Sequence, residues 1–188
     1  MTKRNRHGKL LSATILTGAT VATLAAAAGA SAQDAGTDDS PERPAACDPA
    51  DLHLEASPEL PEENIVIVSV TRAAGDGPEC AIDRIPTVTF ANLDGSAEAV
   101  PPTESAPYAL SPGESAHAAI RTAPAMDDDG VEVVQFMTVG AAPDHEGTVF
   151  FAEELDMADP GIYVYEPITT WWQTSQDEAL QELFDNLP

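Results

Sequence analysis

Lysine occurs only at Lys3 and Lys9, and beyond the first ten residues all the positive charge of this 188-residue chain comes from Arg43, Arg72, Arg84 and Arg121. Against these stand 32 acidic residues. Four scattered arginines cannot build a basic patch, so nucleic acid and anionic membrane surfaces would be repelled and are excluded as partners. Cysteine is equally scarce, with Cys47 and Cys80 alone. There is no C-x-x-C pair, and neither cysteine has a histidine close in sequence, so a redox or metal role for them lacks support. No internal repeat is visible, no lipidation signal sits near the N-terminus and no twin-arginine pair is present.

The beginning of the chain carries a targeting signal. Lys3, Arg4, Arg6 and Lys9 form a positive n-region, Leu10 to Ala28 is an uncharged apolar run, and Ala30-Ser31-Ala32 is a small-x-small cleavage site. Cleavage is expected between Ala32 and Gln33, making residues 1–32 a signal peptide. The competing reading is an uncleaved membrane anchor, since the run is nearly long enough to span a bilayer, although its alanine and threonine make it weakly hydrophobic. Removing the signal takes four of the eight basic residues and none of the acidic ones, which leaves a formal charge of −28. Such a domain repels itself, and salt relieves that repulsion beyond about 10 Å, so stability is expected to rise with ionic strength. The composition fits either a GC-rich genome or a saline habitat.

In an exported chain, two cysteines imply one disulfide, Cys47 to Cys80. Residues 33–46 have no periodicity and read as a disordered spacer. The strongest strand signal is Asn64 to Arg72, in which Ile65 and Ile67 lie on one face and Val66, Val68 and Val70 on the other, as in a sheet interior. Before it, Leu52 and Leu54 mark a half-buried strand, and Pro58 and Pro61 read as breaks. After it come Thr87 to Phe90, an Asn92 to Gly95 turn, Tyr108 to Leu110, an alternating run Ser115 to Thr122, then Val131 to Val139 as one long strand, Thr148 to Phe151 and Ile162 to Tyr165. Short strands between Gly/Pro/Asp turns predict an all-β fold, an antiparallel Ig-like β-sandwich over residues 47–170. Residues 171–188 switch period. Ser175-Gln176-Asp177-Glu178 is a capping box, and Leu180, Leu183, Phe184 and Leu187 form one apolar stripe, so the chain ends in an amphipathic helix. Its acidic face makes membrane binding improbable.

The chain resembles a family of exported actinobacterial domains of unknown function. The resemblance rests on Cys47 before an Asp-x-x-Leu strand, Ile65 to Val70, the turn to Cys80, Pro86-Thr87-Val88, the Asp94-Gly95 turn and Leu110-Ser111-Pro112-Gly113-Glu114-Ser115-Ala116, similar to a Leu-x-Pro-Gly-x-x-Ala signature. It covers Cys47 to about Pro167 and leaves the C-terminal helix outside. Where the family usually has a glycine and an aromatic, this chain has Arg84-Ile85. The resemblance implies a secreted or envelope-associated, β-rich domain with paired cysteines, and it brings no catalytic residues.

Candidate sites are few. Gly113-Glu114-Ser115-Ala116-His117 falls short of a Gly-x-Ser-x-Gly nucleophile elbow, because a histidine replaces the last glycine and a strand follows. Asp127, Asp128 and Asp129 before Gly130 offer oxygen ligands suited to calcium, but without the spaced order and closing glutamate of a calcium loop they fit a solvated hairpin turn better. Copper would draw on Met126, Met137, Met157, His117 and His145, which are scattered singly. Trp171-Trp172 is the most informative pair, since one ring can be buried and its neighbour displayed, to pack the helix or to stack on an envelope glycan. The expected role is a non-enzymatic binding module without a cofactor, whose partner is an envelope or extracellular protein or a glycan. The alternative is an extracellular calcium or copper binder.

Overall fold

The computed structural model describes residues 43–102, 105–124, 130–142, 145–157 and 159–187. Among them run the strands β1 (Ala45–Ala46), β2 (Leu52–Leu60), β3 (Ile65–Arg72), β4 (Cys80–Ile82), β5 (Thr87–Phe90), β6 (Glu98–Val100), β7 (Tyr108–Leu110), β8 (Ser115–Arg121), β9 (Glu132–Val134), β10 (Phe136–Gly140), β11 (Thr148–Phe151), β12 (Ile162–Val164) and β13 (Ile168–Thr170), with one helix, α1 (Gln176–Asp185). The largest sheet has the order β2-β3-β8-β13-β6, and shorter sheets have the orders β1-β4-β7, β11-β10-β5 and β12-β9.

The two-faced apolar pattern of β3 decides the layering. Val66, Val68 and Val70 face one core, shared with Ala116, Ala118 and Ile120 of β8, with Val88, Phe90, Leu110, Met137 and Val139 of the shorter sheets, and with Cys47 and Cys80. Ile65 and Ile67 face a second core with Ala119 and Ile168, closed by Ala179 and Leu183 of α1. The helix therefore buries its stripe on its own sheet, with Leu180 and Leu187 at the margin. Phe184, expected in that stripe, stays 43% exposed; Ala179 takes its place inward, because a small residue lets the helix approach the sheet. Ser175 caps α1 by accepting from the Glu178 backbone N–H at 3.2 Å. The Glu178 carboxylate accepts from the Thr174 hydroxyl, so only half of the expected box forms.

Several sequence expectations need correction. Val131 to Val139 is two strands, since the chain changes sheets at Gln135: β9 pairs with β12, while β10 pairs with β5 and β11. The run contains no glycine or proline to signal that switch. Pro58 does not break the chain but pairs with Val66 inside β2, an edge strand whose outer side needs no N–H donor. The sheets are not antiparallel throughout, because β1 runs parallel to β4 and β6 parallel to β13, each brought in from far along the chain. The last two residues of the expected spacer form β1, and Cys47 is joined to Cys80 by a disulfide.

The corner between β7 and β8 explains the Leu-x-Pro-Gly segment. Glu114 N–H donates to Ser111 O at 3.0 Å around Pro112 and a Gly113 with φ of 81°, the geometry of a type II turn that requires a left-handed third residue. Glu114 also accepts the Ser111 N–H on its carboxylate at 2.8 Å. Beside this corner, Arg72 donates from Nη1 to Pro78 O and Leu110 O, at 2.7 and 2.9 Å, and so ties down the Gly/Pro turn that leads to Cys80.

Candidate binding surface

The tryptophan pair sits on a β-bulge. Ile168 and Thr169 pair with Arg121 and Ile120, but the next bridge joins Gln173 to His117, so three residues on one strand face two on the other. The hydroxyl of Thr170 covers the gap by accepting from Ala119 N–H at 2.9 Å. Trp172 N–H leaves the sheet and donates to Arg84 O at 3.0 Å. The bulge thereby turns adjacent rings to different surroundings. Trp172 is 0% exposed in the main core, and Trp171 is half-buried at its edge.

Trp171 is held from two sides. Its indole N–H donates to Pro101 O at 3.0 Å, and the Arg84 guanidinium lies 5.2 Å from the centre of its ring and 5.4 Å from that of Tyr108. Both distances allow cation–π attraction. Burial, reinforced by Glu114 and Glu178 and opposed by Arg84, pushes the Tyr108 phenol up from its usual value. The cluster thus combines the half-buried ring of Trp171, one cation fixed between it and the buried ring of Tyr108, and an acidic margin. Neither Arg84 nor Tyr108 was a candidate from sequence. The only available signal was Arg84 itself, one of four arginines in a strongly acidic chain.

The other candidates are not brought together. Ser115 lies in β8 with its hydroxyl 2.7 Å from that of Thr71, in a strand and not at a strand-to-helix elbow. Met137 and Met157 are core residues, and His145 borders crevices beside Ala81 and Ala141. Among the described residues no three His, Cys, Asp or Glu side chains converge as a metal site. Asp127, Asp128, Asp129, Met126, Ala32 and Gln33 lie outside the described residues.

His117 shares its face of β8 with Ala119, under α1, and its Nδ1 is buried without a partner among the described residues. Burial lowers its pKa below the usual value, since a charged imidazole would lose solvation there. As pH falls through about 6.5 the unfolded chain takes up a proton that the folded chain refuses. Stability is therefore expected to be full above that pH, to decline as acid is added and to level off below the lowered folded pKa. Denaturant midpoints across this window test the sign. A His117→Gln variant should flatten the slope, and an unchanged slope would show that other groups set it.

These features define a disulfide-linked, β-rich domain closed by one short C-terminal helix. Residues 47–172 match the model of a family described as a domain of unknown function (DUF4232), and the chain belongs to that family. The match begins at the first cysteine and ends on Trp172, so it includes β13 and the bulge but not α1. No curated protein and no solved structure matches the chain.

Proposed function

We propose that the protein is an exported, non-enzymatic binding module of the cell envelope or medium, laid out as an Ig-like sandwich, whose contact surface centres on Trp171. The observation that carries this reading is the bulge, which spends a fully buried tryptophan as an anchor so that its neighbour is presented at the surface in a fixed orientation. A preoriented aromatic loses little freedom on binding, and tryptophan, tyrosine and arginine are the side chains that dominate contact surfaces. The disulfide fits an oxidising compartment. The charge selects neutral or basic partners, either a glycan that stacks on the indole or a protein with a basic rim.

Capture from native envelope and culture-fluid extracts, at low and high salt and with the disulfide intact, is the test. A specific partner should be recovered by the wild type and lost by Trp171→Ala, with affinity falling about 30-fold or more, the ~2 kcal/mol of a binding hot spot. Equal capture by Trp171→Ala would place the contact elsewhere, and no capture at either salt would overturn the reading of a stable macromolecular partner.

A further inference from the structure

A second site is built between the C-terminal end of α1 and the edge strand β6. A cavity of about 480 Å³ opens there, lined by Glu98, Val100, Arg121, Glu166, Ile168 and Asn186 among others, a size within the range of small-molecule sites. Its floor follows from the register of the sheet. Ile65 pairs with Arg121, Arg121 with Ile168, and Ile168 with Glu98, so these four residues form one row across four strands on the helix side. Arg121 has an isoleucine on each flank, and Glu98 lies two strands away, roughly 10 Å at the backbone.

Arg121 is the one basic side chain lining this cavity. Of the arginines in the described residues, Arg72 is spent on two carbonyls and Arg84 on two aromatic rings, while Arg43 lies near the start of the domain. Arg121, like Arg84, has its Nε buried with no hydrogen-bond partner among the described residues, and it forms no ion pair among them although Glu98 and Glu166 border the same cavity. Its guanidinium pairs with none of the acidic side chains among the described residues, so its hydrogen-bonding capacity there is open to a ligand. Burial accordingly lowers its pKa. Glu166 adds a second irregularity, since its φ of 44° is left-handed, a conformation costly for a non-glycine residue and frequent at binding sites.

We propose that this cavity binds a small amino-acid-like zwitterion, with its carboxylate on Arg121, its ammonium toward Glu98 and Glu166, and its aliphatic part against Val100, Ile168, Pro102 and Pro167. A simple anion would meet two carboxylates and a strongly negative protein. A simple cation would meet the Arg121 guanidinium. Only a ligand carrying both charges answers both sides of the cavity, and the guanidinium fork suits a carboxylate bidentately. The site is distinct from the Trp171 surface, although Pro101, which accepts the Trp171 indole N–H, adjoins its wall.

The test is calorimetric titration of the disulfide-bonded chain with three probes of matched shape: L-leucine, 4-methylpentanoate, which lacks the ammonium, and 3-methylbutylamine, which lacks the carboxylate. L-leucine is expected to bind saturably at millimolar concentration, and each analogue at least tenfold more weakly. Arg121→Gln should abolish leucine binding, and Glu98→Gln or Glu166→Gln should weaken it severalfold, with thermal unfolding confirming that each variant is folded. If Arg121→Gln does not fold, Arg121→Lys keeps the charge without the fork and should still bind leucine at least severalfold more weakly. Absence of saturable leucine binding, equal binding of 4-methylpentanoate, or leucine binding unchanged in the arginine variant would each overturn the proposal.

Discussion

Trp172→Ala is expected to lower the unfolding free energy by about 3–5 kcal/mol, the cost of deleting a large aromatic ring from an enclosed core. Trp172 is the largest fully buried side chain, 0% exposed, and packs in the cluster that contains the disulfide and the inner faces of β3 and β8. Small domains keep about 5–15 kcal/mol in total, so this one change removes a large share of the margin. Urea unfolding of the variant beside Trp171→Ala separates the two rings. Trp171→Ala should cost less, about 1–2 kcal/mol, for a half-buried ring that loses one hydrogen bond and one cation–π contact. Equal losses at both positions would mean that the bulge does not divide them into anchor and display.

The second large effect is expected from the disulfide. Cys47 and Cys80 are separated by 33 residues, and closing a loop of that size in the unfolded chain is worth ~3–4 kcal/mol in the chain-entropy model. A Cys47→Ser, Cys80→Ser double variant should lose that amount. Within the folded state the variant should also fray at the margin of the shorter sheets, because β1 has only two residues, and the bond and the Cys47 N–H to Ala81 O contact at 2.9 Å tie it to β4. The comparison is unfolding of the wild type with and without reductant, alongside the double variant. A change below about 1 kcal/mol would mean that the unfolded chain is already compact around residues 47–80.

How much of this was legible in the sequence varied with the reach of the signal. β3 was readable to within one residue, Asn64 lying outside it in a left-handed turn, because both its faces are apolar, and each face met a separate core. In β8, alternation puts Ala119 on one face with Ser115, His117 and Arg121, and its burial under α1 depends on a helix that packs from the far end of the chain. β6 and β13 were missed although β13, Ile168–Thr170, is made of strand-favouring residues: neither three-residue segment shows an alternation of apolar and polar side chains, and Thr169 and Thr170 are both fully buried. Burial of Thr170 follows from its hydroxyl replacing a strand acceptor, which only pairing geometry reveals. The stack of Arg84 on Tyr108 and Trp171 joins three distant segments. No local pattern encodes such a contact.

The placement of the arginines also bears on how the fold withstands proteolysis. Enzymes that cleave after lysine or arginine need that side chain free to enter a deep pocket and a stretch of backbone free to extend. Residues 43–187 contain no lysine, and the bond after Arg43 leads into Pro44, a poor substrate. Arg72 and Arg121 end paired strands, and the Arg84 head is stacked between two rings. A trypsin-like protease therefore finds little to cut until the domain unfolds as a whole, and resistance to digestion becomes a property of the fold rather than of any protective modification.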